Sequence, residues 1–389
     1  MKNSPQQWLT KIREVKFDRT IRILNVCGGH ERSISNSGIR TLLPEYIQLI
    51  PGPGCPICVC PTELINQSIS LSRNPDIILA CFGDMINVPA NNKKGEIQSL
   101  SEAKAMGSNV EAVASPMEVI KLANTNQDKT IVFFVAGFET TMAPIAAMIE
   151  QINATSIKNI KFLIAGRKTW PIVFELFKDQ DHGIDGVIAP GHVATIMGAQ
   201  EWQFIPDSHK IPCSISGFTV SSVLESIYTV LKQIQTKKAC LNNCYKEAVT
   251  DQGNLTAKNL LDKYFENDDA PWRGIGLIDE SGFKFKSEFT HFDAANLIET
   301  TTSPHLTPYL ASGFTPKLTI INKSESPAGC DCPKVIMGKL SPFNCKLFDK
   351  ACTPSNPIGP CMVSDEGACN IWWLNGEHLK TQQAQFCST

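Results

Sequence analysis

Residues 131–141 read Ile-Val-Phe-Phe-Val-Ala-Gly-Phe-Glu-Thr-Thr. Six apolar residues, Ile131–Ala136, end at a glycine, and a helical pattern near Thr141–Ile152 follows. An uninterrupted apolar run of strand length, bounded by glycine, marks a strand covered on both faces of a parallel sheet. The pattern recurs on either side. Ile21–Val26 leads into a helical stretch around Arg32–Leu43, and Ile77–Cys81 is another short apolar strand. Lys161–Ala165 and Gly186–Ala189 continue the series, and Ser214–Gly217 runs into an amphipathic stretch, Val220–Gln235. Strands alternating with helices predict an α/β fold. At about 150 residues per domain, a chain of 389 residues holds two or three domains. The expected organisation is two parallel-sheet α/β domains with a cleft between them, 1–127 and 128–219. The boundary falls in the polar run Asn124–Lys129. A helical and Cys-rich C-terminal domain occupies 220–389, where Asn242–Asp269 is polar with a helical pattern and periodicity fades from Thr300 onward.

Composition narrows the function. Lys and Arg number 36 against 38 Asp and Glu, a formal charge of −2. That balance argues against electrostatic attraction to nucleic acid or an anionic membrane. No apolar run approaches the ~18 residues of a membrane span, and no secretory signal is visible. Fifteen cysteines in 389 residues is the outlier. In a chain without a visible signal, expected in the cytoplasm, dense thiols point to metal binding or redox chemistry rather than a disulfide framework.

Three motifs share one architectural place. Cys27-Gly28-Gly29-His30-Glu31, Gly137-Phe138-Glu139-Thr140-Thr141 and Pro190-Gly191-His192 each follow a strand. In open parallel sheets ligands bind outside the carboxyl ends of strands, where helix N-termini converge. Cys27 at such a position is expected to have a lowered pKa. A thiolate with the imidazole of His30 suits iron or zinc, and the alternative is a buried cysteine beside a loop-capping histidine. Cys55 and Cys58 form a C-x-x-C pair opening the helical stretch Pro61–Leu71. That spacing permits a reversible disulfide or iron ligation, and also equals half a zinc site. Cys60 is an extra thiol beside the pair.

Cys330, Cys332, Cys345, Cys352, Cys361 and Cys369 crowd an aperiodic segment. Thiolates around an iron–sulfur cluster would order it, with zinc as the alternative. Cys81 and Cys213 read as core residues. Cys240 and Cys244 stand at i and i+4 of an expected helix, and Cys387 as a free thiol in the tail. His182, His209, His291, His305 and His378 read as solvated.

Together these residues resemble the HypD family of [NiFe]-hydrogenase maturation factors. The resemblance rests on Cys27–Glu31, Gly52-Pro53-Gly54-Cys55-Pro56-Ile57-Cys58, Gly137–Thr141, Gly191-His192-Val193 and the C-x14-C-x6-C-x16-C series Cys330, Cys345, Cys352 and Cys369. It implies a scaffold, with redox activity rather than conventional turnover, on which an Fe(CN)2CO unit is assembled. A HypC chaperone would share the iron, and HypE and HypF would supply cyanide. Cys27 would ligate that iron, His30, Glu139, Thr140 and His192 would line its site, and Cys55 and Cys58 would be the redox pair. Cys330, Cys345, Cys352 and Cys369 would hold a [4Fe–4S] cluster, with Cys332 an alternative to Cys330. Two other classes use fewer of the motifs: a cluster-dependent thiol–disulfide oxidoreductase and a zinc-stabilised interaction module.

Overall fold

The computed structural model describes residues 3–155, 157–179, 181–298 and 325–376. Among them eleven strands follow in chain order: β1 (Ile21–Asn25), β2 (Ile47–Pro51), β3 (Ile77–Phe82), β4 (Val110–Val113), β5 (Thr130–Gly137), β6 (Ile160–Gly166), β7 (Gly186–Pro190), β8 (Cys213–Ser216), β9 (Leu241–Asn243), β10 (Phe265–Trp272) and β11 (Gly276–Phe285). Five helices matter for the site: α1 (Gly28–Asn36), α2 (Glu139–Asn153), α3 (Gly191–Met197), α4 (Val220–Thr236) and α5 (Ala368–Leu374).

The chain forms two units, and both are α/β with parallel sheets. The first comprises Met1–Cys58, Lys168–Lys258 and Ala328–Thr389, the second Val59–Arg167 and Asn259–Pro327. The first unit's sheet has the order β2-β1-β7-β8-β9, all parallel. Ile21, Ile23 and Ile188 on its strands pack with Val223, Leu224, Ile227 and Leu231 of α4, all essentially inaccessible. The second unit's sheet has the order β4-β3-β5-β6, also parallel, beside an antiparallel hairpin β10–β11. The run 131–136 is buried along its whole length in β5, as a strand covered on both faces must be.

This partition differs from three consecutive spans. The polar run 124–129 ends the helix Pro116–Thr125 and supplies the short connection 126–129 to β5, all inside the second unit. The first unit recruits β7 and β8 from mid-chain because β1 pairs with β7. The C-terminal cysteine segment belongs to the first unit. Residues 242–269 are mixed: β9 and β10 flank one helix, Leu255–Tyr264. Cys240 and Cys244 therefore bracket a strand instead of sharing a helix face. β2 and β4 were not foreseen, because the alternation in 47–51 and 110–113 is too short to separate from loop. His305, His378 and Cys387 lie outside the described residues. No helix among those described is long and apolar enough to cross a membrane.

Candidate functional site

In the first sheet the chain leaves β1 for β2 on one side and later returns to β7 on the other. The crevice at such a reversal is where open α/β sheets place ligands. Cys27–Glu31 follows β1 and Pro190-Gly191-His192 follows β7, so these two motifs flank the reversal. Gly52–Cys55 follows β2, and Gly217-Phe218 follows β8 along the same edge.

Cys27 is the N-cap residue of α1, with extended backbone. Gly54 lies against it: the Gly28 N–H donates to the Gly54 carbonyl (3.1 Å). A Cβ on Gly54 would stand 2.5 Å from the Cys27 Cα, so only glycine allows this approach. Cys55 and Cys58 are joined by a disulfide, their Cα atoms 5.3 Å apart. Cys27, Cys55, Cys58, Glu31, Cys361 and Glu366 line one cavity of about 10 Å³, room for roughly one water molecule. Two motifs 24 or more residues apart thus meet at one point of the first unit.

The expected lowering of the Cys27 pKa is not what the geometry gives. Burial pushes the thiol up to about 12, against the opposing N–H groups of His30 and Gly29, and Glu366 and Glu31 push it further the same way. A helix start lowers a thiol's pKa only where water or cations offset the cost of burying the anion.

His30 is fully buried. Its Nε2–H donates to the Ser216 carbonyl (2.9 Å), and Nδ1 has no partner. Burial lowers its pKa to about 4, although the Ser216 carbonyl favours the charged form. The sign follows directly: the fold prefers neutral imidazole, so stability is complete above pH 6.5 and declines as pH falls toward 4. The expected loss at pH 5 is about 2 kcal/mol. Unfolding midpoints at pH 7.5 and pH 5 should differ accordingly, and His30→Gln should flatten that difference. His192 is exposed, and its ring stacks on Phe218 with centroids 3.7 Å apart and planes at 22°.

Glu31 is buried beside the cavity. It pairs with Arg40 at 2.6 Å, accepts from Trp372 Nε1 at 2.6 Å and from Asn25 Nδ2 at 3.3 Å. Arg40 also lies over the Trp372 ring, 4.8 Å from its centroid. One carboxylate thereby joins α1 to α5, the helix that carries Cys369.

Within the second unit, the corresponding reversal lies between β3 and β5. Glu139, buried, and Thr140 begin α2 at that edge, so they and Cys27 belong to different units. Arg167, at the end of β6, is buried and donates to the carbonyls of Pro271 (2.9 and 3.2 Å) and Gly166 (2.8 Å). Cys60 is buried in this unit, and burial pushes its thiol up to about 12 despite Arg167 and Arg273. A thiol so protonated and enclosed is a poor competitor in disulfide exchange.

The C-terminal thiols gather in the first unit. Cys332, Cys345, Cys352, Cys361 and Cys369 are buried, and Cys330 is partly exposed. Cys330 and Cys332 sulfurs are 3.3 Å apart, and hydrogen bonds from Cys332 and Cys361 pull the Cys369 pKa down. A Cβ on Gly359 would come within 2.5 Å of the Cys330 sulfur and 2.6 Å of the Cys332 sulfur. Among the described residues no three His, Cys, Asp or Glu side chains are gathered around one metal-ion position. The four thiolates of an iron–sulfur cluster sit on different irons, so they need not converge on one point. Soft donors in this number, with a glycine leaving room beside two of them, fit such a group in kind.

Several contributors escaped the sequence reading. Phe218 carried a readable signal, a Gly-Phe pair at a strand end like Gly137-Phe138. The pairing of Glu31 with Trp372, 341 residues on, carried none. Glu366 lines the cavity where its Cβ and backbone pack on Gly28. His182 and His209 are half-buried: they pack on Phe177 at 5.0 and 5.5 Å, and partial burial lowers both pKa values. Cys81 and Cys213 are core residues as read.

Parallel-sheet units with thiols at a strand-order reversal define a class of thiol-bearing α/β proteins, and comparison narrows it. The model of the HypD family, described as "Hydrogenase formation hypA family", matches residues 3–376. The hydrogenase maturation factor HypD of Azotobacter vinelandii is 35% identical over 364 residues, covering 92% of this chain and 90% of that protein. HypD of Escherichia coli K12 is 34% identical over 357 residues, covering 92% and 89%. The hydrogenase expression/formation protein HupD of Azotobacter chroococcum is 35% identical over 364 residues, covering 92% and 90%. The chain belongs to the HypD family of hydrogenase maturation factors.

Proposed function

We propose that this protein is a cytoplasmic scaffold on which an Fe(CN)2CO unit is assembled together with a HypC-type chaperone, with cyanide supplied through HypE and HypF. One observation carries the reading: Cys27 and the Cys55–Cys58 disulfide line the same cavity. Low-spin iron with cyanide and carbonyl ligands is the cargo, and it takes soft donors such as thiolate. Burial holds the Cys27 thiol protonated, so iron binding displaces that proton. Reduction of Cys55–Cys58 takes up two electrons and two protons and frees two thiols beside Cys27. Neutral His30 fixes the end of β8 through Ser216. Cys330, Cys345, Cys352 and Cys369 would hold a [4Fe–4S] cluster, and Cys332 and Cys361 adjoin Cys369. When bound, that cluster supplies single electrons.

The test is an infrared spectrum of the protein purified without oxygen from cells that also express the partners. Cyanide and carbonyl bands are expected, and Cys27→Ala should remove them while leaving the brown chromophore. Normal bands in that variant would refute the role of Cys27. A brown sample without bands would instead favour a thiol–disulfide oxidoreductase, and a colourless zinc-containing one an interaction module.

A further inference from the structure

We propose that Phe218 is a positioning residue for this site: its ring, wedged between the Cys27–Glu31 and Pro190–His192 loops, fixes the orientation of the His192 imidazole. The inference rests on the assembly reading above for its functional consequence, and on geometry alone for the stack. Among the described residues the His192 imidazole makes no hydrogen bond or ion pair, and the residue is exposed. An exposed side chain with no polar tether samples several rotamers. The contact that restrains this one is Phe218, at 3.7 Å and 22°.

Phe218 is itself anchored from every side. Its carbonyl accepts from Ser33 Oγ at 2.9 Å. The preceding Gly217 N–H donates to Ser222 Oγ at 2.7 Å. The His30 ring lies 4.6 Å away, and the Tyr245 ring meets it edge-on at 6.1 Å. The glycines of the two motifs make the slot. A Cβ on Gly29 would stand 2.9 Å from Phe218 Cε1, and a Cβ on Gly191 3.3 Å from Cε2. The ring's two edges therefore face one motif each. At Gly29 the ring is the nearest obstacle to a Cβ; at Gly191 the Ser216 carbonyl oxygen, 2.2 Å from that position, excludes one first, with Phe218 beside it. His192 is left with one face on Phe218, and both ring nitrogens lie in a plane that the stack holds fixed.

The test compares Phe218→Leu with Phe218→Tyr in the full chain carrying 13C-labelled histidine. Ring-current shifts should move the His192 ring protons upfield in the wild type. His192→Gln assigns them. Phe218→Leu should abolish the shift and Phe218→Tyr should keep it, with both variants melting close to the wild type. In protein purified with its partners, the cyanide and carbonyl bands per chain should fall at least tenfold in Phe218→Leu and stay within twofold in Phe218→Tyr. A variant that loses the stack but keeps its bands would overturn the proposal, as would one that keeps the stack and loses them. Unshifted His192 protons in the wild type would overturn it as well. Absence of bands in the wild type would count against the assembly reading, and the proton shifts would still decide the stack.

Discussion

Glu31→Ala is expected to destabilise the first unit by about 3–5 kcal/mol. Three donors converge on this carboxylate: Arg40, Trp372 Nε1 and Asn25 Nδ2. The side chains of Glu31 and Arg40 are 3% and 13% exposed, so solvent cannot replace the lost charge. Truncation leaves a nearly buried guanidinium and an indole N–H without their acceptor. Each unsatisfied donor adds about 1–3 kcal/mol. A unit of this size loses about 2–4 °C of melting temperature per kcal/mol, so the first unfolding transition should fall by roughly 6–20 °C. Removing both charges separates the causes. Glu31→Ala with Arg40→Met should be less destabilised than Glu31→Ala alone, because the orphaned cation is then gone. A shift of under 2 °C in the single variant would mean that the carboxylate does not hold α5 to α1.

Gly54→Ala is the second large effect, and its cause is steric. The added methyl carbon would meet the Cys27 Cα at 2.5 Å, the Gly28 nitrogen at 2.6 Å and the Cys27 carbonyl carbon at 2.7 Å. All three are backbone atoms, so no rotamer change relieves the contact. The Gly28–Gly54 hydrogen bond (3.1 Å) ties the same two loops and must lengthen. Overpacking typically costs about 1–3 kcal/mol, and contact with three backbone atoms puts this substitution at the upper end, about 3 kcal/mol. The same displacement moves Cys27 away from Cys55 and Cys58. Thermal unfolding should show a lower first transition, and alkylation of Cys27 under native conditions should quicken at least severalfold. Wild-type values in both would show that the loops are not in register as described.

The fold class was legible because its signal is local. Ile131–Ala136 has no polar residue to place on a solvent face, so it could only be a strand covered on both sides. The site was legible where glycine and a reactive side chain followed a strand, as at Cys27, Cys55 and His192. The interleaving of the units was not legible, because no residue within β1 declares that its neighbour is β7 rather than β3. Nor was the Cys27 pKa. The sequence shows the helix start that favours thiolate, but not the burial that outweighs it. Cys240 and Cys244 misled for a related reason. A spacing of four fits a helix, yet β8 offers Cys213 and Ile215 as ladder partners for residues 241 and 243, and pairing overrides the pattern.

The threading of the first unit has a consequence for synthesis. β1 and β2 leave the ribosome early, but the next strand of their sheet, β7, begins at Gly186. About 160 residues separate it from β1, roughly ten to thirty seconds of translation. The second unit's strands β3–β6 are contiguous and can collapse in that interval, while Cys27, Cys55 and Cys58 wait without the sheet that encloses them. The final partner, α5, arrives last of all. A nascent chain with three accessible thiols for that long is vulnerable to mispairing and oxidation, so the yield of correctly bridged protein should depend on how reducing the cell is while the middle third is being made.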